Sequence, residues 1–160
     1  MKKLMLIGCM LLASVAMFAQ KGTMGVGLNL NYGLHSDFKN LGVGAKYQYE
    51  FIDHLRGEAS FNYYFKKDYT TQWDMDINLH YVFRPGSSGW GIYPLVGLGF
   101  LHTAVDVYGI TASSTDLGLN LGAGAEYPIT DHIKLNAEFK YQIVSDWNRP
   151  VIGIGATYVF

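Results

Sequence analysis

From Met24 onward, apolar side chains recur at every second position over almost every segment of the chain, the period of a strand with two chemically different faces. Met24, Val26, Leu28, Leu30 and Tyr32 alternate with Gly25, Gly27, Asn29 and Asn31. The same phase returns over residues 41–51, 55–65, 73–83, 117–127, 133–143 and 152–160, with Leu, Ile, Tyr and Phe set against Gly, Asn, Lys and Glu. Residues 92–101 show it least clearly; Val96, Leu98 and Phe100 against Gly97 and Gly99 set their phase, and Pro94 belongs near the start. Eight antiparallel strands are therefore expected, and helical segments should be few.

The connections alternate in length. Residues 52–54 and 130–132 make tight turns, whereas 33–40, 66–72, 102–115 and 144–150 read as longer loops. Short turns at one rim and long loops at the other are the mark of outer-membrane barrels. The exception is 84–91, whose Pro-Gly-Ser-Ser-Gly stretch makes a longer turn on the short-turn rim. Residues 44–63 match 122–141 at a constant offset of 78, with Asp53/Asp131, His54/His132, Ala59/Ala137, Phe61/Phe139 and Tyr63/Tyr141 among the identical pairs. Two hairpins with equivalent turns follow, by duplication or by convergence on one recipe.

Alternation alone does not say which face meets water, because a soluble ligand-binding barrel alternates in the opposite sense. Volume separates the two. An eight-stranded barrel has room inside for side chains or one small ligand, and the apolar stripe here holds about forty residues, many of them large, too many to fit within. The apolar stripe therefore faces lipid, and the Gly- and Asn-rich stripe fills the lumen. No charged residue falls on the lipid stripe, where Lys or Arg at the midplane would cost about 2–4 kcal/mol. Lipid forbids an unpaired ladder edge, so the sheet must close. Tyr63, Phe65 and Trp73 towards one rim, with Tyr49, Phe51, Tyr81, Phe83, Tyr127 and Tyr158 towards the other, make aromatic girdles.

Composition adds a compartment. Lys2 and Lys3 precede an apolar run ending in small residues, so residues 1–19 read as a secretory signal, cleaved after Ala19 or after Ala16. Cys9 has too few apolar residues before it for a lipoprotein signal and leaves with the segment. The mature domain, 20–160, has no cysteine, so its stability does not depend on disulfides. A net charge of −1 without a basic tail carries no footprint of a nucleic-acid binder.

With strands, turns and signal in place, the chain resembles the small OmpA/OmpX-type outer-membrane barrels and the porin-like outer-membrane β-barrel domain family, over nearly all of its mature length. The ending from Gly155 to Tyr158 and Phe160 resembles the C-terminal signal read by the barrel-assembly machinery. The resemblance implies a Gram-negative outer membrane with its lipid and lipopolysaccharide as surroundings. It leaves the activity open, since that family includes adhesins, anchors, small channels and a few lipid-modifying enzymes.

Charged residues on the lumen stripe are the first candidates for chemistry: Lys46, Arg56, Lys134 and Lys140 against Glu50, Glu58, Asp74, Asp76, Glu126 and Glu138. A three-residue loop at 52–54 would place Phe51 opposite Leu55 and Glu50 opposite Arg56; by the repeat, Glu126 lies diagonal to Lys134. Such a network is read as a salt-bridge plug, with an ion path as the alternative. The histidines form no metal site at strand-ligand spacing, with only His80 in the lumen, and no cofactor is expected. An enzyme acting on lipid A would need a nucleophile and base at the rim, for which His35 with Ser36, or His102 with Ser113 or Ser114, are the loose candidates. The expected role is structural or surface-interacting. Specificity should lie in outer loops, above all Val105, Val107, Tyr108 and Ile110, which either extend strands five and six as a hairpin above the membrane or form an irregular loop, and would meet an extracellular ligand or host surface. The rival is a narrow channel or carrier of small molecules. Oligomeric state is not legible.

Overall fold

The computed structural model describes residues 22–34, 39–67, 69–87, 89–108, 110–145 and 148–160. The expected signal, His35, Ser36 and the side chain of Val107 lie outside the described residues. Eight strands run in chain order: β1 (Met24–Leu34), β2 (Lys39–Ile52), β3 (Leu55–Lys67), β4 (Thr70–Tyr81), β5 (Gly91–Val107), β6 (Ile110–Pro128), β7 (Ile133–Val144) and β8 (Arg149–Val159). Each pairs antiparallel with its neighbour, and β1 pairs with β8 from Gly25↔Val159 to Gly33↔Val151, closing the barrel. No helix occurs among the described residues. Closure gives every spanning strand a partner on both sides, which a lipid-facing wall requires.

The faces fall as the alternation predicts. Leu28, Phe61, Ile77, Leu98, Leu119, Phe139 and Ile154 stand outward, while Lys46, Glu58, Asp74, Asp76, Asn120 and Lys140 are buried inside. Small residues make the narrow lumen possible: a Cβ at Gly124 would lie 2.6 Å from Cε2 of Tyr93, whose ring occupies that space. On the outer face Phe51 lies over Gly57 in the same way, a Cβ there falling 2.8 Å from its ring.

Several expected loops are shorter than the sequence suggests, because strand pairing continues past the last alternating residue. Pairing reaches Leu34↔Lys39, Lys67↔Thr70, Val107↔Ile110 and Gln142↔Arg149, so 66–72 and 102–115 are largely strand, and 33–40 and 144–150 are entered by strand from both ends. The 52–54 turn is also corrected. Ile52, not Phe51, pairs with Leu55, leaving Phe51 in a bulge and Asp53–His54 as a two-residue turn with His54 at φ 75°.

The internal repeat extends into a shared latch. The His54 carbonyl accepts from the Val82 N–H at 2.7 Å while its Nδ1 bonds the Val82 carbonyl at 2.7 Å; His132 does the same to Val159 at 2.7 and 3.2 Å. The histidine rings stack on Tyr81 and Tyr158, at 6.0 and 5.7 Å between centroids. Tyr81-Val82-Phe83 thus runs out of the end of β4 as Tyr158-Val159-Phe160 runs out of β8, and the Phe160 N–H also donates to the Met24 carbonyl at 2.9 Å.

Candidate functional site

Two regions stand out from the scaffold: the charged lumen and the hairpin that rises from one rim. In the upper lumen Arg149 donates through Nη2 to Asp74 (2.6 Å), Nε to Gln142 (2.7 Å) and Nη1 to Gln72 (3.0 Å), with its guanidinium 4.3 Å from the Tyr64 ring centre. Asp74 also accepts from Asn62 at 2.6 Å. Below it Lys140 pairs with Asp76, which accepts from Asn120 at 2.9 Å.

In the lower lumen Arg56 donates to Glu126 at 2.5 Å across the barrel and to Nδ1 of His80 at 3.3 and 3.0 Å. Lys134 reaches Glu126 at 3.4 Å, on the diagonal that the repeat predicts. Arg84 forks onto both oxygens of Glu50, at 2.8 and 3.1 Å. Lys46 donates to Asn136 at 2.6 Å and stands 3.9 Å from Glu58, and Tyr93 donates to Glu138 at 3.1 Å.

All ten charged residues assigned to the lumen are brought together there, and Lys134 meets Glu126 as expected, but Arg56 and Glu50 take other partners. Arg56 faces Glu50 across the β2–β3 ladder, yet its ion pair is with Glu126, and Glu50 belongs to Arg84. Arg84 and Arg149 were not among the expected cations; adding them makes six cations against six carboxylates. Parity would have found both, since Arg84 continues the inward phase of Asp74, Asp76 and His80, and Arg149 precedes Val151 and Gly153 by the same count. Among the charged lumen residues, Glu138 makes no ion pair in the structure described.

At the loose candidate positions, His102 hydrogen-bonds Thr115 at 2.7 Å and stacks on Trp73, whereas Ser114 donates to Asp116. His102 is thus part of the outer aromatic girdle. Tyr158 and Phe160 face outward at the lower rim, and Gly155 lies inside against Asn29. An apolar recess of about 900 Å³ over Ala45, Ala59 and Ala156 opens on the lipid side of the wall rather than into the lumen.

The segment around Val105 and Ile110 takes the extended-hairpin form of the two expected for it. Val105 pairs with both Thr70 and Ala112, Tyr108 occupies the tip at φ 52° and is fully exposed, and Ile110 is exposed beside it. At 17 and 19 residues, β5 and β6 far exceed the 9–11 that cross a bilayer. β4 covers β5 up to Val105, but β7 meets β6 only from Gly118, so among the described residues Ile110–Leu117 forms an open strand edge. Lys66 lies 3.6 Å from Asp106, and the Thr111 hydroxyl, donating to the same carboxylate, holds that carboxyl below its ordinary range.

Comparison with known proteins agrees with this architecture. The family model described as outer membrane protein beta-barrel domain matches residues 5–160. Neisserial surface protein A is similar in structure at 18% identity, TM-score 0.71, over 87% of this chain and 97% of that one. Ail, the attachment invasion locus protein of Yersinia pestis, is similar at 21% identity and TM-score 0.65, over 88% and 100%, and has also been solved with the heparin analogue sucrose octasulfate. The N-terminal barrel of Pseudomonas aeruginosa OprF is similar at 19% identity and TM-score 0.64, over 88% and 100%. No curated protein matches the chain.

Proposed function

The chain belongs to the outer membrane protein beta-barrel domain family and resides in the Gram-negative outer membrane, and from that premise we propose that it is a surface-interaction barrel whose β5–β6 hairpin captures an extended polypeptide segment. The carrying observation is the open edge Ile110–Leu117. Backbone N–H and C=O groups on an unpaired edge are a template for another strand, and adding one satisfies them through main-chain hydrogen bonds. A lipid-buried edge would be forbidden, so an overhang of this length makes sense only above the bilayer. The exposed Tyr108 and Ile110 add apolar area at the tip.

The cross-linked lumen weighs against the rival channel reading, because six cations held on five of the six carboxylates would have to break buried pairs to open a charge pathway. The lipid-side position of the apolar recess weighs likewise against a carrier. We take the wall to be covered by outer-membrane lipid and lipopolysaccharide, and the ending Gly155, Tyr158 and Phe160 to be what the assembly machinery reads.

The first test is topology: a cysteine replacing Tyr108 should be labelled by an impermeant maleimide in intact cells. The second replaces residues 105–110 by a Gly-Ser linker in the purified barrel and measures capture of the barrel on immobilised extracellular proteins, with immobilised heparin as a separate arm. Loss of protein capture with a folded barrel is expected. Ail's ligand makes the heparin arm informative. Heparin capture that survives the linker would move recognition to the exposed Lys39, Lys66 and Lys67 at the same rim.

A further inference from the structure

Deep in the lower lumen, one ring nitrogen of His80 and one carboxylate oxygen each from Glu58 and Glu138 lie within 4.8 Å of one another. Two carboxylates and an imidazole are a common donor set for a divalent metal ion. Arg56 changes that reading. It directs Nε and Nη2, both donors, at Nδ1 of His80, so Nδ1 must accept and its lone pair is engaged. A neutral imidazole then carries its hydrogen on Nε2. Neither nitrogen has a lone pair to give to a metal.

The remaining valences describe a different ligand. Nε2 of His80 is buried and meets no protein acceptor. Oε2 of Glu58 is taken by Gln48 at 2.7 Å and faces Lys46, and Oε2 of Glu138 is taken by Tyr93. No protein donor among the described residues reaches Oε1 of either. The cluster therefore has one unmatched donor and two unmatched acceptors. A water molecule has the complementary set, a lone pair to accept and two hydrogens to donate, and groups separated by more than a direct hydrogen bond are bridged in this way.

We propose that this centre is a binding site for a single internal water, which accepts from Nε2–H of His80 and donates to Glu58 and Glu138, and that it excludes divalent metal. The water completes the environment of a ring already stacked on Tyr93 at 4.6 Å and fixed by Arg56, so it belongs to the plug and not to a conduction path.

The test uses the folded mature barrel in detergent micelles with ¹⁵N-labelled histidine. Long-range ¹H–¹⁵N correlations report the tautomer of each ring, and His80 is assigned by the loss of its signals in His80→Phe. If that variant does not fold, the contact of the ring protons with Tyr93 gives the assignment. The expected result is an Nε2–H tautomer for His80, a cross-peak from that proton to a long-lived water, and no selective broadening of the His80 signals by Ni²⁺. An Nδ1–H tautomer, an Nε2–H without the water cross-peak, or selective broadening by Ni²⁺ would each overturn the proposal.

Discussion

Replacing Arg149 by Met should destabilise the barrel more than replacing Arg56 by Met. Arg149 is 1% exposed and Asp74 is fully buried, and among the described residues the guanidinium is the only cation within ion-pair distance of that carboxylate. Removing one member of a buried pair costs about 3–5 kcal/mol, since the other charge stays desolvated. Hydrogen bonds from Asn62 and Gln142 soften the loss, which places it near the lower end, about 3 kcal/mol, or two orders of magnitude in the folding equilibrium. Arg56→Met should cost about 1–2 kcal/mol despite equal burial, because Lys134 and Arg84 remain on Glu126. Urea unfolding in detergent, followed by tryptophan fluorescence and by the gel shift between folded and boiled barrel, measures both. The double change Arg149→Met with Asp74→Leu should recover most of the loss. Equal losses for Arg149→Met and Arg56→Met, or no recovery in the double variant, would refute the assignment of Asp74 to a single counterion.

Gly124→Val should drive the new side chain into the Tyr93 ring, with a loss of about 1–3 kcal/mol that Tyr93→Ala partly relieves, read from the same unfolding curves. His54→Ala and His132→Ala should each cost about 1 kcal/mol and add when combined, since the two latches are alike but share no contacts; a strongly non-additive double variant would show that they are not independent. Deleting Phe160 should lower the amount of heat-modifiable barrel in the outer membrane of cells, and normal levels would deny that residue a role in assembly.

Strand number, face assignment and the positions of the inner turns were legible from the chain because the two-residue period is a local property, and a wall between lipid and a crowded lumen enforces it at every position. The tight turn at Asp53 and its repeat at Asp131 are local in the same sense. For the converse reason the sequence leaves the outer segment open between hairpin and loop. Thr111 to Thr115 have water on both sides, so nothing selects alternation there, and only the ladder from Val107↔Ile110 downward reveals a strand.

What the sequence by itself determined, then, is a closed eight-stranded wall, its lipid and lumen faces, and the inward charges of the strands other than Arg84 and Arg149. The tertiary structure decided whom those charges meet. Arg56 stands beside Glu50 in the ladder but reaches Glu126, seventy residues away, and Asp74 finds Arg149 at the far end of the chain. The physical reason is curvature: closing the sheet folds distant strands onto one narrow axis, where a long side chain lies closer to the opposite wall than to its ladder neighbour, and a dry interior rewards whichever pairing leaves the fewest charges unmatched.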